Sequence, residues 1–177
     1  MVCADYDNDG WLDLQVTTYQ TQLATLYRNL GQGLFEDVTR LTGAGAGTLP
    51  DVTWGNGFAD FDNDGDRDLL IAAGHLLDNV ELYDDTTSYH ARNHLLMNTG
   101  DGRFLNVSSQ CGDGLAVKLS SRGLVLGDLD NDGDMDAVIQ NSRREPTVLR
   151  NDSPVRNHWV QIRLRGVKTN RDGVGAR

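Results

Sequence analysis

The sequence predicts an all-β fold of four-stranded antiparallel repeats, the blades of a partial or open β-propeller with about three blades. Three features carry that prediction. An acidic nine-residue string occurs three times, a short apolar run follows each copy, and a strand–glycine turn–strand unit comes next.

The acidic strings are "DYDNDGWLD" (5–13), "DFDNDGDRD" (60–68) and "DLDNDGDMD" (128–136), which share six of nine positions as D-x-D-N-D-G-x-x-D. A merely solvated acidic face needs charge, but it does not need a fixed glycine, a fixed asparagine or a fixed spacing. Like charges held this close call for a cation at their centre. Calcium takes about six to eight oxygen ligands, which loops supply from alternate positions. The predicted ligands of the first loop are the carboxylates of Asp5, Asp7, Asp9 and Asp13 and the carbonyl of Trp11. Those of the second are Asp60, Asp62, Asp64 and Asp68 with the carbonyl of Asp66. The third offers Asp128, Asp130, Asp132 and Asp136 with the carbonyl of Asp134, so up to three Ca²⁺ are expected. Gly10, Gly65 and Gly133 are placed to make a sharp turn with positive φ. Asn8, Asn63 and Asn131 are expected to bond the loop backbone. An all-oxygen set argues against zinc and copper, and magnesium sheds its waters reluctantly.

An EF-hand would need a glutamate at the twelfth position, where the chain has Val16, Ile71 and Ile139. The flanks also lack helical periodicity. "LDLQVTTY", "DLLIAAG" and "DAVIQN" are short, partly β-branched runs ended by glycine or polar residues, which predicts strands. Each loop therefore joins two strands.

The next unit, "LYRNLGQGLFEDVT" (26–39), aligns without gaps on "LLMNTGDGRFLNVS" (95–108) and reads as strand, Gly-x-Gly turn, strand. "VLRND" (148–152) begins a third copy and then diverges. Asp5 to Asp60 is 55 residues and Asp60 to Asp128 is 68, the excess lying around "DNVELYDDTTSYHARN" (78–93). That insertion has no clear apolar period. Loops on a rigid scaffold often carry recognition, so it is a candidate partner surface.

On these motifs the repeats resemble FG-GAP/VCBS repeats, the calcium-loop blades of integrin α-chain heads and of many secreted bacterial proteins. "NHWVQIRLRGVKTNRDGVGAR" (157–177) resembles the beginning of the ASPIC/UnbV domain of the cartilage acidic protein family. The resemblance divides the chain into propeller repeats over 1–153 and a truncated ASPIC/UnbV-like segment over 154–177. It implies an extracellular or periplasmic binding module stabilised by calcium.

The formal charge of −10 is concentrated in the loops; without their 14 aspartates the balance is +4. That acidic balance argues against a nucleic-acid partner, because phosphate binding wants a basic stripe. No apolar run of about 20 residues is present. Only "MVCA" precedes Asp5, so the chain reads as a fragment whose propeller the rest of a longer polypeptide completes. Loops of this sort suit the millimolar calcium outside cells.

Other chemistry is weak. Cys3 and Cys111 could pair, but Cys3 aligns with Phe58 and Leu126 and reads as a buried small hydrophobe. His90 and His94 read as surface residues, while His75 and His158 have no matching partners. "GAGAGT" (43–48) has the glycine density of a phosphate loop without the Gly-Lys-Ser/Thr that would complete one, and reads as a flexible connection. Trp54 is assigned to core or inter-blade packing, and Trp11 is expected to be half-exposed at most. No G-x-S-x-G and no separate acid/base carboxylate pair is present, so no enzyme activity is expected. The favoured function is a calcium-bound, non-enzymatic module for an unknown protein or glycan ligand. The alternative is an accessory propeller of a larger secreted enzyme or carbohydrate-binding protein.

Overall fold

A computed structural model describes residues 1–154, 157–160, 162–168 and 170–173. Parts of the stretch 154–177 assigned to a second segment lie outside the described residues. In chain order the elements are β1 (Val2–Ala4), β2 (Asp13–Val16), β3 (Thr25–Asn29), β4 (Phe35–Asp37), the one-turn helix α1 (Thr39–Thr42), β5 (Thr53–Ala59), β6 (Asp68–Ala73) and a 3₁₀ turn (Val80–Leu82). There follow β7 (Ala91–Arg92), β8 (His94–Asn98), β9 (Phe104–Asn106), β10 (Lys118–Leu119), β11 (Ser121–Gly127), β12 (Asp136–Asn141) and β13 (Thr147–Leu149).

The strands form three blade-like antiparallel sheets, ordered β1-β2-β3-β4, β5-β6-β8-β9 and β11-β12-β13. Every acidic loop is a hairpin connection, closed by the pairs Ala4↔Asp13, Ala59↔Asp68 and Gly127↔Asp136. Among the described residues the third sheet has three strands, in keeping with the divergence after "VLRND". The insertion is not featureless. It holds the 3₁₀ turn and β7, which pairs with β10 in a separate two-stranded ladder.

Side chains alternate across a strand, and β6 uses both of its faces. All six of its residues are buried. Leu69 and Ile71 join Tyr6, Leu26, Val38, Leu96 and Phe104 in a core between the first and second sheets. Leu70 joins Ala59, Phe61, Leu115 and Ala137 in a core shared with the third. The second sheet is thus the buried middle layer.

Its inner strand meets β11 with no side chain to spare. A Cβ on Gly55 would lie 2.6 Å from the Leu124 amide nitrogen and 2.8 Å from the Arg122 carbonyl oxygen. Arg122 locks the same seam. Its guanidinium donates to the carbonyls of Gly74 (3.1 Å) and His75 (2.9 Å) and lies 4.5 Å from the centroid of the Trp54 ring. Trp54 Nε1 in turn donates to the Gly74 carbonyl at 2.7 Å. The inter-blade role expected for Trp54 is what the structure shows.

Four expectations need correction. Cys3 is exposed, not buried, because no described residue covers that face of the edge strand β1; Cys3 and Cys111 are both free. His94 is buried, with Nε2 on Asp51 Oδ2 at 2.7 Å. The residues of "GAGAGT" pack firmly: Ala44 lies in the first core, and the buried Thr48 accepts the Ala24 N–H at 3.0 Å. Trp11 is 54% exposed, slightly more than half.

Gly55→Ala should destabilise the chain by about 1–3 kcal/mol, because its Cβ meets backbone that cannot swing aside. Gly127→Ala, with nothing within 4 Å of the new Cβ, should change stability by less than about 0.5 kcal/mol. Urea unfolding of both variants checks the contrast.

Candidate metal centres

The acidic loops fold by bonding their own backbone to their own carboxylates. In the first two loops the first aspartate accepts two loop N–H groups. Asp5 takes those of Asp9 (3.0 Å) and Gly10 (2.9 Å), and Asp60 takes those of Asp64 (3.0 Å) and Gly65 (2.9 Å). Asp128 does the same with Asn131 (2.7 Å) and Gly133 (3.1 Å). The turn glycines Gly10, Gly65 and Gly133 have φ of 91°, 99° and 95°, as their position in the motif predicts. The asparagines two positions earlier correct an expectation: the Asn8 and Asn63 side chains donate to the next loop, not to their own backbone. Asn8, Asn63 and Asn131 sit at φ 58°, 56° and 63°, a left-handed conformation that asparagine tolerates better than most residues.

The ninth position is the deepest. Asp13, Asp68 and Asp136 are 0–1% exposed, and each carboxylate spans two N–H donors. One belongs to the second loop residue: Tyr6 (3.3 Å), Phe61 (2.8 Å) or Leu129 (2.9 Å). The other, at 2.8 Å in every copy, belongs to the asparagine at or just after the end of the third strand: Asn29, Asn98 or Asn151.

The structure brings the first, third and ninth positions together. Asp5, Asp7 and Asp13 form one group, Asp60, Asp62 and Asp68 a second, and Asp128, Asp130 and Asp136 a third. Within each group the ligand oxygens lie within 4.8 Å of one another. Two oxygens at calcium's bond length of about 2.3–2.6 Å can be at most roughly 5 Å apart, so the spacing suits one ion. The fifth-position carboxylates stand outside these groups. Asp9, Asp64 and Asp132 each spend Oδ1 on the N–H two residues on, that of Trp11, Asp66 or Asp134, at 2.9 Å.

Charge crowding marks the same places. Burial pushes the Asp68 carboxyl from its ordinary 3.8 up to about 7, against the pull of its two N–H bonds. Asp7, Asp13 and Asp62 are also raised, with desolvation the main cause. Asp62 Oδ1 is buried with no hydrogen-bond partner. A buried anionic oxygen left unpaired is costly, and a cation is the group that would satisfy it.

Two features of the site are absent from the acidic strings themselves. Arg28, on β3, reaches the first loop and pairs with Asp7 (2.9 Å) and Asp9 (3.1 Å). The aligned position in the second copy is Met97, which brings no charge. The loops are also wired to each other. Asn8 Nδ2 donates to Asp66 Oδ1 at 2.8 Å, and Asn63 Nδ2 to Asp134 Oδ1 at 2.7 Å. The seventh-position side chains therefore do not idle in solvent: they accept from the fourth position of the preceding loop. From the C-terminal stretch, Asn157 Nδ2 reaches the Asp62 carbonyl at 3.2 Å, and Trp159 lies directly over Gly133.

Residues 5–71 and 78–139 match the family model described as FG-GAP-like repeat. The chain belongs to the FG-GAP-like repeat family. The two matched stretches cover the three acidic loops and most of the first two sheets. No curated protein matches the chain. Among the described residues, no helix is long and apolar enough to cross a membrane.

Two tests follow from this geometry. A double-mutant cycle on Asn8→Ala and Asp66→Ala should return a coupling of about 0.5–1 kcal/mol, the scale of an exposed charge-assisted hydrogen bond. The second test concerns pH. Because Asp68 binds its proton more tightly folded than unfolded, chelator-treated protein should lose stability as pH rises from about 4 to about 7. Denaturant midpoints across that window, compared with those of Asp68→Asn, check the sign; the variant should show a smaller fall.

Proposed function

We propose that this FG-GAP-like repeat chain is a calcium-binding, non-enzymatic interaction module that works outside the cytoplasm, extracellularly or in a periplasm. The observation that carries the proposal is the carboxylate cluster repeated three times, each built on one buried aspartate, with Asp62 Oδ1 left without a donor. Asp5, Asp7 and Asp13 would hold one ion, Asp60, Asp62 and Asp68 another, and Asp128, Asp130 and Asp136 a third. The fifth-position carboxylates and the seventh-position carbonyls of Trp11, Asp66 and Asp134 would complete the shells. The ion supplies, at the second loop's carboxylates, the positive charge that Arg28 brings to the first and that Met97 at the aligned position does not, and so fixes loops whose own carboxylates repel one another. The compartment follows from calcium supply: such loops fill at the millimolar concentrations found outside cells. The C-terminal stretch fits the start of an ASPIC/UnbV-like segment, as its sequence suggests.

Calcium should raise the melting temperature of chelator-stripped protein, and calorimetric titration should resolve up to three sites. A melting curve that stays the same in millimolar calcium and in excess chelator would overturn the proposal. Within the second loop, Asp62→Asn should weaken calcium binding strongly and Asp66→Asn only slightly, since Asp66 binds through its carbonyl.

Arg28 separates the first loop from the second. Arg28→Met should tighten the first site by about fivefold, the equivalent of removing a competing surface ion pair of roughly 1 kcal/mol. Terbium luminescence sensitised by Trp11, which belongs to that loop, reads the change in a Trp159→Leu background, since Trp159 lies over the third loop.

A further inference from the structure

The end of the second sheet remote from its calcium loop holds a cavity of about 390 Å³. Its walls come from the residues before β5, from the insertion, from β7 and from β10. We propose that this cavity binds a small hydroxylated carboxylate, a sugar acid, with the carboxylate seated between Arg92 and Lys118 and the hydroxyls on Thr87 and Asp85.

The first support is the register of the small ladder. Lys118 stands directly opposite Arg92, both line the cavity, and among the described residues neither side chain has a hydrogen bond or ion pair. Like charges directly opposite on neighbouring strands are destabilising. A two-residue ladder has little else to offset that, so an anion between the cations removes a real cost. The second support is independent. Arg92 Nε is buried with no partner, and so is the hydroxyl of Thr87, a residue only 6% exposed. Two buried polar atoms without partners beside one polar cavity point to a missing ligand.

The remaining charges define the ligand further. Asp51 faces the cavity but is already engaged by His94 at 2.7 Å. Asp85 is not paired, so the pocket presents an acceptor carboxylate as well as two cations; His90 adds a ring with no hydrogen bond of its own. A bare inorganic anion would satisfy the cations and be repelled by Asp85. A sugar acid satisfies both, because its hydroxyls donate to Asp85 while its carboxylate faces Arg92 and Lys118. The volume is at the small end of the range of about 300–1,000 Å³ typical of ligand sites.

The proposal rests on the reading of the chain as a binding module, but not on the metal loops. The experiment is a titration of the calcium-treated chain with glucuronate, glucose and sulfate, followed by amide chemical shifts. Glucuronate should bind saturably, with shifts confined to Asp51, 85–92 and 118–119, and neither glucose nor sulfate should match it. Arg92→Met and Thr87→Val should each weaken glucuronate by about tenfold, as loss of a charge-assisted or buried hydrogen bond implies. Lys118→Met should weaken it similarly without lowering the melting temperature of the free protein, since it relieves the opposed charges. No saturable binding, equal binding of glucose or sulfate, or an unchanged Arg92→Met affinity would overturn the proposal. The calcium-induced rise in melting temperature, measured on the same variants, should not change. Its loss in the wild type would instead count against the metal sites.

Discussion

The fold hangs on a carboxylate that is buried at the start of the second strand of each sheet. Asp13, Asp68 and Asp136 are almost fully removed from solvent, where an ionised group without compensation would be prohibitive. Two backbone N–H donors supply part of that compensation, one from the loop and one from the asparagine that ends the third strand. The same asparagine then reaches out of its own sheet. Asn98 Nδ2 donates to the Tyr6 carbonyl at 2.9 Å, and Asn151 Nδ2 to the Phe61 carbonyl at 2.7 Å. A single side chain thereby fixes the loop, the strand pairing beside it and, through its partner, the stacking on the preceding sheet.

A second layer of links runs over the first. The fourth position of one loop donates to the seventh position of the next, so neighbouring loops share hydrogen bonds as well as a hydrophobic core. Repeat arrays in which each unit touches only its neighbours gain stability from such interface terms. A cation bound in one loop would therefore stiffen the frame of the adjacent one. The first loop differs at both ends of this scheme, with Trp11 at its seventh position and Arg28 over its carboxylates. Copies of one sequence motif have acquired distinct electrostatic settings.

Much of this was legible in the sequence because it is periodic. The repeated Gly10, Gly65 and Gly133 announced positive φ, the apolar runs announced strands, and the alternating aspartates announced carboxylate clusters. The side-chain contacts between repeats were not legible. Asn8 and Asn63 read as local turn residues, since nothing in a linear string shows that Asp66 and Asp134 will face them across a seam. Arg28 was visible as the residue before a repeated asparagine, but its reach to Asp7 depends on strand pairing. His94 looked like a surface residue because its partner, Asp51, lies 43 positions away. The fifth-position aspartates show the opposite limit: their spacing predicts ligands, while the structure spends half of each carboxylate on a local turn.

The two ends of the sheets hold charge differently: one is built from aspartates alone at its repeated positions, while the other mixes Asp51 and Asp85 with Arg92 and Lys118. The loop end gathers the aspartates, and removing those of the three loops leaves the rest of the chain with a balance of +4. At the far end, Arg92 and Lys118 stand opposed in a ladder that exists only because the insertion supplies β7. The other repeats have no counterpart to that segment. Its strand pairs with β10, just ahead of the third sheet, so it bridges two blades at the rim the metal loops do not reach. Ions held in the acidic loops, as proposed, would stiffen the sheets from one end without entering the cavity at the other. The Asp68 hairpin, on which the middle sheet depends, and the insertion therefore occupy opposite ends of one scaffold, the arrangement in which a loop can carry recognition on a rigid frame.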